Sequence, residues 1–465
     1  MFQIVNRGGA DNLCYDGATC LDTRREMPMS YLRTYQDALD YIYSFIDPAR
    51  KPAATPDAAA LNLRRIERLL AAVGNPYAGM AAVVVAGTKG KGSTAAMVEA
   101  MVRASGRCVG LFTSPHLHSY RERIQVNREL IPQGELIALT AQLRPIIDAF
   151  DPQLYGSPTT FELTLLLALQ HFAERGTDLA VLEVGLGGRF DAVSMVQPLV
   201  AAISSISYDH TAILGPTLAE IAWNKTGIMK PGVPVVSVPQ QPEASAVIAT
   251  EAAAMGAPLW LADEAGLLPA SGGAPQPYPV LPQPALRGLF QIENARLALG
   301  VAMLLRETGM DVPDSALFTG LDRVRWPGRF ELVPTSLRVL IDGAHNGDSA
   351  QKLVAAIIAG VPHDRLILIL GTSRDKDIAA IAAALVPLAA AVVLTRSGHP
   401  RSMDLDRMVA EVGHHLRGPL VVTPDVRSAL DAARGLAGRH DLLVVTGSLF
   451  VAAAARAALG LAVSD

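Results

Sequence analysis

Val83-Val84-Val85-Ala86-Gly87-Thr88-Lys89-Gly90-Lys91-Gly92-Ser93-Thr94 is the stretch on which the fold turns. Apolar, mostly β-branched residues run into a turn of glycines and lysines, and good helix formers follow over 95–104. Strand, glycine loop and helix in that order build an anion cradle. The glycines let backbone N–H groups turn inward, the helix N-terminus adds partial positive charge, and a lysine supplies a full one. On this basis Lys91 is expected to hold phosphate and Ser93 to reach magnesium. Gly92 separates Lys91 from Ser93, so the spacing departs from the strict phosphate-loop form. A plain connecting turn is the simpler alternative, and two lysines set among three glycines argue against it.

The same grammar repeats outward from this stretch. Apolar runs at 179–182 and 199–206 each lead through a polar turn, as a parallel sheet requires. It restarts at 338–341 and continues at 366–370, 391–394, 420–422 and 442–445. The fold class expected is α/β: an N-terminal parallel-sheet ATPase domain of phosphate-loop type, then a smaller, Rossmann-like C-terminal α/β domain. Trp326-Pro327-Gly328-Arg329 interrupts regular structure, which places the joint near 326–337, with Trp326 packing across it. The division expected is 1–28 as a loose extension, 29–332 as the ATP-binding domain and 333–465 as the C-terminal domain, with Met29 as an alternative start. Before the first strand, a helix is expected over 34–46, capped by Thr34 and Asp37, and another over 58–73, stopped by Gly74-Asn75-Pro76. Residues 266–284, rich in Pro, Gly and Ala, read as an irregular loop with room for a hairpin.

Open α/β sheets bind ligands at the carboxyl ends of their strands. Glu183 ends one run, Asp209-His210 follow another, and Asp342-Gly343-Ala344-His345-Asn346 follow the first strand of the second domain. Glu183, His210 and Ser93 are therefore expected to converge on one magnesium, although a lone strand-end Glu or His is more often structural. Lys225 falls in a helix over 220–227, where a lysine is ordinarily a surface charge.

Bulk properties narrow the classes. A length of 465 residues implies two or three domains at roughly 150 residues each. A formal charge of −4 supplies no basic field for nucleic acid. Cys14, Cys20 and Cys108 are too scattered for a disulfide framework, which points to a reducing, cytoplasmic setting. No run of about 18 uncharged apolar residues offers a membrane span.

Gly87 to Thr94, Thr113-Ser114-Pro115-His116-Leu117, the run Glu183 to Arg189, Asp209-His210-Thr211 and Asp342 to Asn346 stand together in one order. In that order they resemble the signatures of the folylpolyglutamate synthase and dihydrofolate synthase family of the Mur ligase superfamily. Asp375-Lys376-Asp377 and Gly447-Ser448-Leu449 add to the resemblance. It implies ATP-dependent ligation of L-glutamate to folate through an acyl phosphate, with dihydropteroate as a possible second acceptor. ATP and Mg2+ are the implied cofactors, with two magnesium sites and a monovalent cation as an option. The protein is expected to be a monomer without nucleic-acid or membrane partners.

By resemblance, Gly87, Thr88, Gly90, Lys91, Gly92, Ser93 and Thr94 cradle the nucleotide, and Lys91 contacts its terminal phosphates. Ser93, Ser114, Glu183 and His210 serve magnesium, and Lys225 matches a lysine carried as a carbamate near a second metal. Arg329, Asp342 and His345 meet nucleotide phosphate, ribose and the ligation centre, while Asn294 stands on the adenine side. The chain departs from the family pattern at Phe190, Val193 and Ser194, at Phe290, and at Asn224 and Thr226 around Lys225. Two alternatives compete: another Mur-type amino-acid ligase, and a regulatory ATPase that hydrolyses nucleotide without glutamate.

Overall fold

The structure, a computed structural model, describes residues 32–45, 56–335, 337–463 and 465. The expected extension 1–28, Met29, Cys14, Cys20 and Ile46 lie outside them. The expected cap is formed. The Asp37 N–H donates to Thr34 Oγ1 at 3.1 Å and the Thr34 N–H to Asp37 Oδ2 at 2.9 Å, starting the helix Tyr35–Tyr43. A second helix covers Pro56–Ala72.

The first sheet contains β1 (Ala82–Ala86), β2 (Val109–Phe112), β3 (Ile124–Val126), β4 (Glu129–Leu130), β5 (Leu179–Glu183), β6 (Val200–Ile203), β7 (Val235–Ser237), β8 (Leu259–Ala262) and β9 (Leu267–Pro269). Their spatial order is β4-β3-β2-β5-β1-β6-β7-β8-β9. From β2 to β8 neighbouring strands are parallel, and the antiparallel β3, β4 and β9 finish the edges. β1 is buried on both faces, as a central parallel strand must be. Val83 and Val85 enter one core with Met97, Met101 and Leu299, while Val84 and Ala86 enter the opposite core with Phe112 and Phe172. Helices thus cover both faces.

The second sheet contains β10 (Glu331–Val333), β11 (Arg338–Ile341), β12 (Leu366–Leu370), β13 (Ala389–Leu394), β14 (Leu420–Val422) and β15 (Leu442–Thr446). The order is β10-β11-β15-β12-β13-β14, parallel except for β10. Leu366, Leu368 and Leu370 face one core, Ile367 and Ile369 the other. β10 straddles the expected division at 332/333. It pairs Glu331 with Ile341 and Val333 with Val339, so the whole strand lies in the second sheet.

Several boundaries move for identifiable reasons. The helix expected from Ala95 starts at Lys91, because Gly90, at φ 90°, turns the chain into its first turn early. Lys91, Gly92 and Ser93 therefore sit where helical N–H groups are still unpaired. The run 199–206 is strand only to Ile203, since beyond it the chain bends over the glycine loop, with the Ser204 N–H donating to Ala86 O. Residues 266–284 begin with β9, which pairs with the preceding β8, and within the range Leu267 bridges Gln276. Trp326 does not pack across the joint: its ring lies on Gly92 and under the Arg128 guanidinium, both in the first unit.

The helix Asp314–Arg323 rests on the helix Lys91–Ala104, and a Cβ on Gly320 would collide with the Met101 backbone. Gly320→Ala should therefore lower stability by about 1–3 kcal/mol. Gly435 lies in the helix Val426–Leu436 with open space around it, so Gly435→Ala should raise stability by about 0.5–1 kcal/mol. Calorimetric Tm values of the two variants should move in opposite directions; a shift of the same sign in both would refute the packing argument.

Candidate active site

β1 lies between β5 and β6, so the segments after these three strands emerge side by side. That adjacency gathers the glycine loop, Glu183 and residues 204–210 at one edge. The loop is held from below: the N–H groups of Thr88 and Lys89 both donate to Ser205 O, at 2.9 and 3.2 Å. Thr88 Oγ1 donates to Ser207 O and accepts from the Ser207 N–H, each at 3.1 Å. Gly87, at φ 143°, has room for no Cβ, because Ser204 Oγ occupies that place. Gly90 is closed off in the same way by Asn294 Oδ1.

The second sheet supplies the facing wall. Asp342 follows β11 and accepts N–H bonds from Phe330 and Ala344, both at 2.8 Å. Burial pushes its carboxyl above the usual carboxylate range, against the pull of the Arg329 guanidinium. Arg329 leans on Gly343, where a Cβ would stand 2.8 Å from Nη1. Between the walls is a cleft of about 230 Å³ lined by Gly87 to Ser93, Ser114, Glu183, His210 and Lys225 on one side. Arg329, Asp342 and His345 line the other, with Asn294 alongside.

One cluster joins the walls. Lys89 Nζ donates to Asp209 Oδ2 at 2.8 Å and lies 3.0 Å from His345 Nε2. His345 Nδ1 is 2.8 Å from Gly343 O, so a proton there leaves Nε2 free to accept from Lys89. Lys376 Nζ reaches Asp209 Oδ1 at 3.6 Å, and Asn346 Nδ2 donates to Oδ2 at 3.4 Å. Burial alone would raise the Asp209 carboxyl, but the Lys89 charge and hydrogen bond and the Lys376 charge hold it far below its ordinary range. Burial lowers Lys89 to about 8 despite Asp209.

Glu183 is buried at the end of β5, where it accepts the Ser114 N–H at 3.1 Å. Burial raises its pKa, with Lys91 opposing. Ser93 is buried in the first helical turn, and His210 sits half-exposed beyond β6 with φ 51°. These residues line one cleft, yet among the described residues no three His, Cys, Asp or Glu side chains gather as a metal cluster. Lys225 is not the surface charge its helix suggests. It is 3% exposed, its Nζ donates to Gly87 O at 2.8 Å, and burial drives its pKa well down. Thr94 is fully buried, and its Oγ1 has no hydrogen-bond partner among the described residues. Asn294 is buried and donates to Gln291 Oε1 at 2.9 Å.

Motif reading named Asp209 at a strand end and Lys376 in a family motif without giving either a role, and assigned none to Lys89 or Asp191. Asp191 is buried and accepts the N–H groups of Gly185, Leu186 and Val193, which shapes the turn after Glu183; burial pushes it up to about 6. The strand-end position of Asp209 was a usable signal. Its two cationic neighbours, Lys89 and Lys376, come from distant segments and left none.

Because the folded pKa of Asp209 lies below its unfolded value of about 3.9, its stabilising contribution is complete above that value. It is lost as pH falls towards the folded pKa. Asp209→Asn should therefore lower Tm at neutral pH, and the deficit should shrink between about pH 5 and pH 3. A deficit that grows on acidification would contradict the cluster's electrostatics.

Comparison with known proteins agrees with this architecture. Residues 85–238 match the Mur ligase middle domain and residues 328–449 the Mur ligase glutamate ligase domain. The dihydrofolate synthase/folylpolyglutamate synthase of Bacillus subtilis is 34% identical over 429 residues, covering 90% of this chain and 97% of that protein. A probable bifunctional folylpolyglutamate synthase/dihydropteroate synthase of Haloferax volcanii is 37% identical over 440 residues, 91% of this chain but only 50% of the longer protein. A bifunctional folylpolyglutamate synthase/dihydrofolate synthase solved with Mn, AMPPNP and L-glutamate superposes with a TM-score of 0.76 at 29% identity, over 92% of this chain and 98% of that one. The chain belongs to the folylpolyglutamate synthase/dihydrofolate synthase family of Mur ligases.

Proposed function

We propose that this chain joins L-glutamate to a folate in an ATP-dependent amide ligation. The observation that carries this is the meeting, in one cleft, of a glycine-lysine loop at a helix N-terminus with Arg329, Asp342 and His345 from a second sheet. Such a cleft holds a nucleotide at one end and presents its terminal phosphate to groups from both halves.

The acceptor carboxylate attacks the γ-phosphorus of ATP, an O–P bond forms, and ADP leaves. The glutamate amine then attacks the acyl phosphate carbon, inorganic phosphate leaves, and the nitrogen gives up a proton. Lys91 and the N–H groups of the first helical turn neutralise phosphate charge as it moves between oxygens. Thr88, tied to Ser207, keeps the loop open, and Arg329 and Asp342 orient the nucleotide from the far wall. His345, held by Gly343 O and Lys89, lines the same cleft, and we assign it to the ligation centre.

The donors fit magnesium. Glu183 is a buried carboxylate bonded to the Ser114 N–H, and the hydroxyls of Ser93 and Ser114 share its cleft, which is the hard-oxygen chemistry this ion selects. His210 completes the set we assign. When bound, magnesium would screen the phosphate oxygens and polarise the γ-phosphorus. Lys225, buried, with burial driving its pKa well down and without an ion pair among the described residues, fits a lysine that adds carbon dioxide to become an anionic carbamate. Dihydropteroate is the second acceptor we assign, since it presents a carboxylate to the same chemistry.

Purified protein with ATP, magnesium and labelled glutamate should incorporate label into tetrahydrofolate, and into dihydropteroate if both activities are present. ATP hydrolysis indifferent to glutamate and pterin would refute the ligase. Lys91→Ala and Glu183→Gln should each lower incorporation at least a hundredfold while circular dichroism stays unchanged, on the scale of about 2.7–4 kcal/mol for one oxyanion contact. Lys225→Ala should be inactive and regain activity with short carboxylic acids; indifference to them would remove the carbamate role.

A further inference from the structure

The Trp326 ring lies against Gly92, in the first turn of the helix Lys91–Ala104, so closely that a Cβ on that glycine would stand 3.1 Å from both Cζ2 and Nε1 of the indole. The Arg128 guanidinium covers the ring at 5.3 Å from its centroid, and Arg128 Nη2 donates to Arg325 O at 2.9 Å. Arg128 itself sits in the two-residue turn between the antiparallel β3 and β4, at φ 70°, a conformation that few residues with a Cβ adopt. Glu99 is fully buried two turns on from Gly92 along the same helix face, and its charge favours the Arg128 cation. The indole is thus clamped between the phosphate loop and a hairpin tip.

The clamp holds more than a ring. Only Pro327 and Gly328 separate Trp326 from Arg329, which lines the cleft. Neither residue is slack. Proline fixes its own φ. Gly328 turns the chain at φ 70°, its N–H donates to Glu331 Oε2 at 2.8 Å, and its O accepts the Gly343 N–H at 3.0 Å. A shift of the indole is therefore carried along a stiff segment to the Arg329 guanidinium, where a small misplacement is costly to chemistry. Trp326 is only partly buried, so packing alone accounts poorly for an aromatic ring laid on a phosphate-loop glycine and roofed by a cation.

We propose that Trp326 is a positioning residue: clamped between Gly92 and Arg128, it sets where Arg329 meets the nucleotide phosphates. The assignment rests on the nucleotide reading of the cleft given above. Resting on the turn that carries Lys91 and Ser93, the ring keeps the far-wall arginine in register with the near-wall phosphate cradle.

The test compares the full chain with Trp326→Ala, Trp326→Phe and Arg128→Gln. It reads the Kd of a fluorescent, non-hydrolysable ATP analogue with magnesium and the KM values for ATP and L-glutamate. Trp326→Ala should weaken analogue binding and raise the ATP KM roughly tenfold, within the range of coupling between touching residues, and leave the glutamate KM as it was. Trp326→Phe keeps a flat ring on Gly92 and should recover most of the loss. Arg128→Gln, which uncovers the ring but leaves it in place, should move the same constants in the same direction and serves if Trp326→Ala folds poorly. In an Arg329→Ala background, Trp326→Ala should add almost nothing, because its effect passes through Arg329. Additive losses overturn the proposal, as does a lower Tm with unchanged ATP constants, which would mark Trp326 as packing alone. A wild type that fails to bind the analogue refutes the nucleotide reading and the proposal together. Binding that neither Trp326→Ala nor Arg128→Gln disturbs refutes the proposal and leaves that reading standing.

Discussion

Asp209 is where two separately packed sheets are tied together. Its carboxylate takes Lys89 from the glycine loop and Lys376 and Asn346 from the second sheet, with His345 beside it. An ion in so dry a place costs several kcal/mol to desolvate, and only a surplus of opposite charge offsets that cost. The cluster therefore sets the spacing of the cleft, because moving either wall away would strip Asp209 of half its partners. The glycine loop and the ligation centre share one electrostatic knot.

The rest of the cleft shows the opposite economy. Glu183, Lys225 and Asp342 are buried with pKa values displaced towards their neutral forms. Each has backbone bonds but too little opposite charge to balance it, as suits groups whose partners are phosphates and cations. A cleft that is electrostatically satisfied on one flank and wanting on the other is ordered before substrate arrives. It also gains most when charge is delivered to the wanting flank.

Much of this was legible in one dimension. The capping box at Thr34 and Asp37, the buried β-branched strands and the loop from Gly87 to Ser93 are local patterns, set by backbone hydrogen bonds and side-chain shape within a few residues. Misplaced boundaries had tertiary causes. Gly90 starts the helix at Lys91 because Asn294, some two hundred residues on, fills the space where a Cβ would stand. β10 joins the second sheet because Ile341 pairs with Glu331. Trp326 lies on Gly92 because that glycine leaves its surface bare.

By itself the sequence determined the α/β class, the two-sheet organisation, the phosphate loop and the family, since strand, loop and helix signals are short-range and their order along the chain is distinctive. Only the tertiary structure decided that Lys225 is buried, that Thr94 turns into the core, and that Lys89, Asp209, His345 and Lys376 form one cluster. Burial and Coulomb energy depend on distances in space. Strand order, with β1 between β5 and β6 and β15 between β11 and β12, converts separations of a hundred residues into contacts of about 3 Å.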